Sequence, residues 1–300
     1  MDDIKKHLKI FPPVIRSALE NFRRWDQICE IRLRKDSPLS LTSFEDNILI
    51  DALGRPCSME KALCTGGEDL HYVLGAFCGG SVYRYFHHLS KGFAVSEDGW
   101  RLGLCTERES FYNFLPESPS GINIRIPRFF PHAADDLLPY FNREGVSSTL
   151  ILSKPGSGKT TLLRALALAL SSGKVGNPLR IAVIDEREEL FPKKYKEKGL
   201  VDLLSGYDKK TGIETAVRLF SPQVILCDEV GNEKEIEALI SSCTGGVKVI
   251  ASCHADGLCE ARKIKFLQPI LDSGLFKKSV TIRQIKGPYY KRELIWENIL

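Results

Sequence analysis

The sequence lacks an apolar segment long enough to cross a lipid bilayer. Such a helix needs about 20 consecutive apolar residues, whereas the run from Leu166 to Leu170 lies between Arg164 and Ser171. A secretion signal is also missing, because the charged start Met1 to Lys6 is not followed by an apolar core. We therefore expect a cytoplasmic protein that docks, at most, on the surface of a membrane.

The cysteine patterns of common redox and metal sites are missing as well. The chain has nine cysteines but no C-x-x-C pair, and the odd number leaves one thiol over from any disulfide set. Cys227 and Cys253 lie within apolar runs, where free thiols commonly pack as small hydrophobic groups. We expect reduced, mostly buried thiols. A zinc site of Cys253, His254 and Cys259 stays open as an alternative, although the spacing fits no common ligand pattern.

The charge pattern does not favour a nucleic-acid partner. The formal net charge is only +4 over 300 residues, and no basic run with interleaved aromatic residues is present. The one basic cluster, Lys193 to Lys198, is typical of a solvated loop. A hydrophobic share of 43% indicates a soluble globular chain with a substantial core.

Residue periodicity predicts two domains, residues 1–145 and 146–300. The first is predicted to be α+β, with a helix starting near Pro13, an alternating strand at Ile28 to Arg34 and a helix over Leu70 to Phe77. Further predicted strands are Gly92 to Val95, Trp100 to Leu104 and Gly121 to Ile126. The boundary is placed at Gly145, after a short helix predicted over Ala133 to Phe141.

The second domain is predicted to be α/β with a parallel-rich sheet. Its short apolar runs carry no polar alternation and alternate with helical segments, which is typical of strands covered on both faces. The predicted strands are Ser148 to Ser153, Arg180 to Ile184, Gln223 to Cys227 and Val247 to Ser252. The predicted helices are Lys159 to Ser171, Gly212 to Phe220 and Glu233 to Ser241, and Ser279 to Ile285 with Tyr290 to Trp296 is predicted to form a closing hairpin.

A phosphate-binding loop follows the first of these strands. It reads Ser153-Lys154-Pro155-Gly156-Ser157-Gly158-Lys159-Thr160-Thr161. Its glycines let main-chain N–H groups approach phosphates, and the helix that follows points its unsatisfied N–H groups at the anion. Lys159 is predicted to reach the β- and γ-phosphates of ATP, and the Thr160 hydroxyl to ligate Mg²⁺. Ser153 stands where the usual pattern has its first glycine.

Two predicted strands end in paired acids. The C-terminal edge of a parallel sheet is where ligands bind, so these carboxylates are candidates for the same site. Asp228 is predicted to hold the magnesium shell, and Glu229 to orient or deprotonate the attacking water. At the other strand end, Asp185 or Glu186 is predicted to join the active site, and Glu188 to be exposed.

A third strand ends at a histidine, His254. At that edge the side chain can hydrogen-bond the γ-phosphate or the attacking water, and capping of the next loop is the alternative. The candidate catalytic residues are thus Lys159, Asp185, Glu186, Glu229 and His254.

The order of these features resembles that of the type II and type IV secretion ATPases, which are hexameric RecA-like motors. Thr244-Gly245-Gly246 before the His254 strand belongs to the pattern. The chain is more similar still to the stage III sporulation protein AA family of endospore-forming bacteria. The tracts that carry this resemblance are Glu30 to Arg34, Gly121 to Ile126, Leu137 to Tyr140, Gly158 to Arg164, Val183 to Arg187, Ser221 to Ile225 and Gly274 to Phe276.

The resemblance implies a RecA-like domain in which the His254 strand lies between the phosphate-loop strand and the Asp228 strand. Secretion motors carry an arginine after the glutamate that corresponds to Glu229, where this chain has Gly231. They also receive arginines from the N-terminal domain, and Arg101 and Arg125 lie on segments similar to those. Solvated surface arginines are the alternative for both.

The sequence thus predicts a Mg²⁺-dependent ATPase that forms a homo-oligomer, a hexameric ring by resemblance. By the same resemblance it energises a channel or secretion-like complex of membrane proteins during endospore formation, from the mother-cell side of the membrane. Two alternatives stay open. One is a RecA-like nucleic-acid motor, and the other is a scaffold that binds nucleotide with little turnover.

Overall fold

A computed structural model describes residues 2–43, 46–106, 119–127, 130–191, 199–242, 246–285 and 291–299. The basic cluster Lys193 to Lys198, Thr244 with Gly245, and the start of the last predicted strand at Tyr290 lie outside these residues. The chain divides into two compact units, residues 1–128 and 129–300. The predicted boundary at Gly145 therefore falls inside the second unit, because Ala134, Leu137 and Phe141 belong to a core cluster of that unit.

The first unit is built around an antiparallel sheet, as the α+β prediction requires. Its helices are α1 (Asp2–His7), α2 (Pro13–Asn21), α3 (Gly67–Phe77) and α4 (Phe86–Leu89). Its strands are β1 (Ile28–Arg34), β2 (Ser37–Pro38), β3 (Ser40–Ser43), β4 (Asn47–Leu49), β5 (Cys64–Thr65), β6 (Phe93–Val95), β7 (Arg101–Cys105) and β8 (Gly121–Arg125). Six of them form a sheet in the order β4-β3-β1-β8-β7-β6, and β2 pairs with β5.

The alternation of β1 shows why this sheet has one buried face. Ile31 and Leu33 are buried in the core of the first unit, whereas Arg32 and Arg34 point to the opposite face. Helix α2 begins at Pro13, which confirms the predicted start. Proline is tolerated there because the N–H that it lacks would have no partner in the first turn of a helix.

The second unit is an α/β fold. Its helices are α5 (Leu138–Glu144), α6 (Lys159–Ser171), α7 (Lys209–Phe220), α8 (Glu233–Ser242), α9 (Leu258–Ala261) and α10 (Gln268–Asp272). Its strands are β9 (Thr149–Ser153), β10 (Ile181–Asp185), β11 (Val201–Ser205), β12 (Val224–Cys227), β13 (Lys248–His254), β14 (Lys278–Ile285) and β15 (Lys291–Asn298). Within the described residues, no helix combines the length and apolarity that crossing a membrane requires.

The seven strands of the second unit form one sheet in the order β11-β10-β12-β13-β9-β14-β15. All neighbours are parallel except β14 and β15, which form the predicted closing hairpin. The position of β13 between β9 and β12 confirms the arrangement that the family resemblance implied. Two separate core clusters cover the sheet, which explains its uninterrupted apolar strands.

Three details differ from the sequence prediction. Strand β11 was not predicted, because its buried residues alternate with half-buried ones and it follows a lysine-rich segment. Helix α7 begins at Lys209 rather than Gly212, since the Asp208 side chain accepts a hydrogen bond from the Thr211 amide and caps the helix there. Helix α5 begins at Leu138, after turns over residues 131–137, instead of at Ala133.

Candidate active site

The loop between β9 and α6 has the backbone geometry that an anion-binding turn requires. Gly156 and Gly158 have φ values of 75° and 87°, a left-handed conformation that favours glycine. A Cβ at either position would meet nothing within 4 Å, so backbone conformation rather than space calls for glycine there. The Ser157 hydroxyl donates to the Lys154 carbonyl at 2.8 Å and contacts the hydroxyl of Ser153. Ser153 therefore helps to brace the turn in which a glycine is usual.

Lys159 lies at the centre of this loop. It is only 5% exposed, and its Nζ donates to the carbonyls of Ser153 and Lys154, each at 3.2 Å. The same ammonium donates to His254 Nδ1 at 2.9 Å. Burial lowers the pKa of Lys159, while the charge of Asp228 acts in the opposite direction. The Lys159 ammonium thus lies at the N-terminus of α6, beside His254 at the end of β13 and near Asp228 after β12.

Thr160 and Asp228 place a hydroxyl and a carboxylate side by side. The Thr160 hydroxyl donates to Asp228 Oδ2 at 2.5 Å, and the other carboxylate oxygen accepts from the Ser252 hydroxyl. Mg²⁺ usually takes one or two protein oxygens and completes its shell with phosphate and water oxygens. The neighbouring hydroxyl and carboxylate fit that ion.

The zinc alternative finds no support. Among the residues that the structure describes, no group of three or more His, Cys, Asp or Glu side chains is arranged to hold a metal. The ring nitrogens of His254 face Lys159 and Glu229 instead of cysteine. Burial raises the pKa of the Cys253 thiol to about 11. Of the eight cysteines that the structure describes, only Cys78, Cys227 and Cys253 are buried, so the expectation of mostly buried thiols is wrong.

Glu229 and His254 contact each other directly. His254 Nε2 lies 3.1 Å from Glu229 Oε1, and Arg187 Nη1 donates to Glu229 Oε2 at 3.0 Å. A lysine ammonium can only donate, so His254 accepts from Lys159 through Nδ1 and carries its proton on Nε2. The neutral imidazole thus links the phosphate-loop lysine to the second acid after β12.

Asp185, the last residue of β10, bonds to the loop that follows the strand. Its Oδ1 accepts from the amides of Glu189 at 2.9 Å and Leu190 at 3.0 Å, and its Oδ2 accepts from the Phe191 amide at 2.9 Å. Burial raises the pKa of Asp185, against the opposing effect of these amides and of Arg164. Arg164, on α6, donates to the carbonyls of Leu190 and Glu189 and so ties the same loop to the phosphate-loop helix.

Glu186 faces the cleft. Its side chain is 39% exposed, and its Oε2 lies 3.7 Å from Lys209 Nζ. Glu188, predicted to be exposed, is half-buried, with a left-handed backbone at φ 56°. The cleft that Glu186 enters is lined by Thr160, Ile184, Asp185, Glu186, Arg187, Glu189, Leu190, Lys209, Asp228 and Glu229.

Four residues of the site were missed by sequence reasoning. Ser252 is fully buried, and its hydroxyl bonds Asp228 and accepts from the Glu229 amide at 2.9 Å. Lys209, Arg187 and Glu235 are charged residues of ordinary appearance in the sequence. Only Glu235 carried a usable signal, since Asn232 three residues before it matches a helix-capping pattern, and the Glu235 amide donates to the Asn232 side chain at 3.0 Å.

The arginines of the first unit make contacts within that unit. Arg125 lies 3.3 Å from Glu30, and Arg32 bonds the same carboxylate at 2.5 Å. Although burial raises it, the pKa of Glu30 is held below its usual value by Arg32 and Arg125. The Arg101 guanidinium lies over the Phe93 ring, 4.5 Å from its centroid.

A parallel sheet with a phosphate-type loop after β9, acids after β10 and β12, and β13 inserted between β12 and β9 defines a RecA-like P-loop NTPase fold. A family model described as "Sporulation stage III, protein AA" matches residues 1–296, and the chain belongs to that family. It is 28% identical over 293 residues to the stage III sporulation protein AA of Bacillus subtilis strain 168. The alignment covers 93% of this chain and 91% of that relative.

Two solved structures, one of an ATPase and one of a pilus motor, share the fold. The Legionella pneumophila ATPase DotB superposes with a TM-score of 0.60 at 16% identity, over 94% of this chain and 78% of that one. The pilus retraction motor PilT, solved with bound ADP, gives a TM-score of 0.63 at 14% identity, over 94% of this chain and 80% of that one. At these identities the similarity concerns the fold.

Proposed function

We propose that this protein is a Mg²⁺-dependent ATP hydrolase that acts as a motor for a membrane complex during endospore formation. One observation carries the proposal: Lys159 and Thr160 at the start of α6 contact His254 and Asp228 at the ends of two neighbouring strands. A phosphate loop is thereby connected to acids and a histidine that can hold Mg²⁺ and orient an attacking water.

The loop residues are assigned to binding the phosphates. Ser153 to Thr161 would surround the β- and γ-phosphates, with the amides of the Gly156 and Gly158 turn and the α6 N-terminus directed at the anion. Lys159 would exchange its bonds with the loop carbonyls for phosphate oxygens. Because the ammonium is already buried and oriented, little side-chain freedom is lost when it binds.

The metal-binding residues are assigned to Thr160 and Asp228. Mg²⁺ held by these oxygens would neutralise the charge that develops on the transferring phosphoryl group. Ser252 keeps the Asp228 carboxylate in place through its other oxygen.

Glu229 is assigned to the attacking water. Its carboxylate is about one-third exposed, at 34%, and reaches the cleft. It would orient the water and accept its proton, and the Nε2–H of His254 would fix the carboxylate toward the phosphates. Glu186 is a second acid of the cleft, whereas the Asp185 carboxylate accepts hydrogen bonds from the loop to which Arg164 also bonds.

Purified protein should hydrolyse ATP in the presence of Mg²⁺, and Lys159→Ala should abolish the activity. Removal of one charge aimed at the phosphates typically costs about 100- to 1,000-fold in turnover. Lys174→Ala is the matched control, because Lys174 is an exposed lysine just beyond the same helix. Equal turnover in Lys159→Ala and Lys174→Ala would exclude the assigned site. Nucleotide binding without turnover would favour the scaffold alternative.

The biological part of the proposal is a homo-oligomeric ring, hexameric by resemblance to the secretion motors, on the mother-cell face of the membrane. It is supported by membership of a sporulation family and by a fold shared with DotB and PilT. Crosslinking in sporulating cells should recover membrane proteins with the wild-type chain. Strong stimulation of turnover by single-stranded nucleic acid, with none by membrane components, would instead favour the nucleic-acid motor.

A further inference from the structure

The segment after β12 holds its key acid in an unusual backbone conformation. Glu229 has a φ of 49°, in the left-handed region that L-residues other than glycine rarely adopt. Such a conformation persists only where the surroundings hold it, and it changes the direction in which the side chain leaves the strand. The groups that hold this peptide therefore decide where the Glu229 carboxylate lies.

Both backbone polar groups of Glu229 bond to side chains. The Glu229 amide donates to Ser252 Oγ at 2.9 Å and to Asp228 Oδ1 at 3.0 Å. The Glu229 carbonyl accepts from Lys209 Nζ at 2.5 Å. Two residues further on, the Gly231 amide donates to Glu235 Oε2 at 2.9 Å. Lys209 is thus the group that fixes the carbonyl side.

Lys209 is bonded in a way that a solvated lysine is not. Its side chain is only 10% exposed, although it is the first residue of α7. Besides the Glu229 carbonyl, its Nζ lies 3.3 Å from Glu235 Oε2 and 3.7 Å from Glu186 Oε2. Two acceptors lie within hydrogen-bond distance, the Glu229 carbonyl after β12 and the Glu235 carboxylate on α8, and the Glu186 carboxylate after β10 adds an ion pair.

We propose that Lys209 is a positioning residue of the hydrolytic site, which holds the Glu229 carboxylate against His254 by fixing the Glu229 carbonyl. A purely structural role, joining α7 to α8 through Glu235, would explain one of its contacts but not the other two. Lys209 also lies near the Glu186 carboxylate, so one cation contacts both the Glu229 backbone after β12 and the acid after β10. The assignment rests on the proposed ATP hydrolysis.

The test replaces the cation without changing much of its volume. Lys209→Met should lower kcat by about 10- to 100-fold, the cost of a slightly misplaced catalytic group, with the KM for ATP within about twofold, since Lys209 lies outside the phosphate loop. The matched control is Lys210→Met, because Lys210 is the exposed lysine next to it, and it should leave kcat unchanged. In a Glu229→Gln background, Lys209→Met should lower kcat no further, since it acts through Glu229.

A second readout is independent of turnover. Hydrogen exchange at the amides of residues 229–231 should accelerate in Lys209→Met and stay unchanged in Lys210→Met, because the released Glu229 carbonyl and Glu235 loosen that segment. Should Lys209→Met not fold, Lys209→Arg carries the test, with an intermediate kcat and the same loss of effect in the Glu229→Gln background.

The proposal is overturned by an unchanged kcat, by a raised KM at constant kcat, or by an equal fall of kcat with and without Glu229. If the wild-type protein shows no turnover, the proposed function fails, and the hydrolytic role of Lys209 fails with it. Hydrogen exchange then decides only whether Lys209 holds the Glu229 backbone: unchanged exchange overturns that contact, and faster exchange supports it.

Discussion

The two adjacent acids at the end of β10 should respond very differently to loss of charge. Asp185 accepts three backbone hydrogen bonds, from the amides of Glu189, Leu190 and Phe191, and is only 3% exposed. Glu186 reaches the cleft with a 39% exposed side chain. We therefore predict that Asp185→Asn lowers stability, whereas Glu186→Gln leaves stability nearly unchanged and lowers turnover.

The magnitude follows from the bonding of Asp185. Its Oδ1 accepts two amides and its Oδ2 accepts one. Asparagine retains one acceptor oxygen, but its NH₂ group faces the third amide, so one buried N–H loses its partner. An orphaned buried donor costs about 1–3 kcal/mol. Glu186→Gln removes only a half-exposed interaction with Lys209, which is worth about 0–1 kcal/mol.

Urea unfolding of the full chain, followed by far-ultraviolet circular dichroism, measures both effects. The Asp185→Asn midpoint should fall, and the Glu186→Gln midpoint should stay near that of the wild type. An unchanged midpoint for Asp185→Asn would mean that its carboxylate does not hold the loop and is free for chemistry. A large loss of stability in Glu186→Gln would reverse the two roles.

Two further predictions concern the same edge of the sheet. Ser252→Ala should lower the free energy of unfolding by about 1–3 kcal/mol, because the buried hydroxyl serves both Asp228 and the Glu229 amide; an unchanged urea midpoint would contradict those bonds. ATP binding should take up protons at alkaline pH. Burial lowers the pKa of Lys159, so the free lysine is partly neutral there, and phosphate charge restores its proton. Calorimetry in buffers of different ionisation enthalpy measures this uptake, and proton release would refute the sign.

Sequence reasoning succeeded where local pattern and sheet geometry determine position. The strand, loop and helix around Gly156 to Lys159 follow from residue type alone, because only glycine readily adopts the observed φ values. The shared edge of Asp185, Asp228 and His254 follows from parallel strands, whose carboxyl ends lie on one side of a sheet. The adjacency of β13 to both β9 and β12 came from the family resemblance, since periodicity does not specify strand order.

Sequence reasoning failed where the proposed role of a residue depends on the burial of a side chain that is ordinarily solvated. Nothing in Asp208-Lys209-Lys210 distinguishes the buried lysine from its exposed neighbour, because the difference arises from the packing of α7 against α8 and the strand ends. Ser252 was missed for a related reason. A serine within an apolar strand is common, and its importance depends on the acids of the adjacent strand β12.

The two Asp-Glu pairs of the cleft, Asp185 with Glu186 and Asp228 with Glu229, are similar in the contacts that their side chains make. After β12, the Asp228 carboxylate bonds Thr160 and Ser252, while the side chain of Glu229, which has a left-handed backbone, contacts His254. At the end of β10, Asp185 turns inward to its own loop, while the next residue, Glu186, faces the cleft. In each pair the first acid bonds neighbouring groups of the fold, and the side chain of the second is partly exposed, at 34% for Glu229 and 39% for Glu186. Glu186 rather than Asp185 is therefore the acid of the β10 pair whose side chain is open to the cleft.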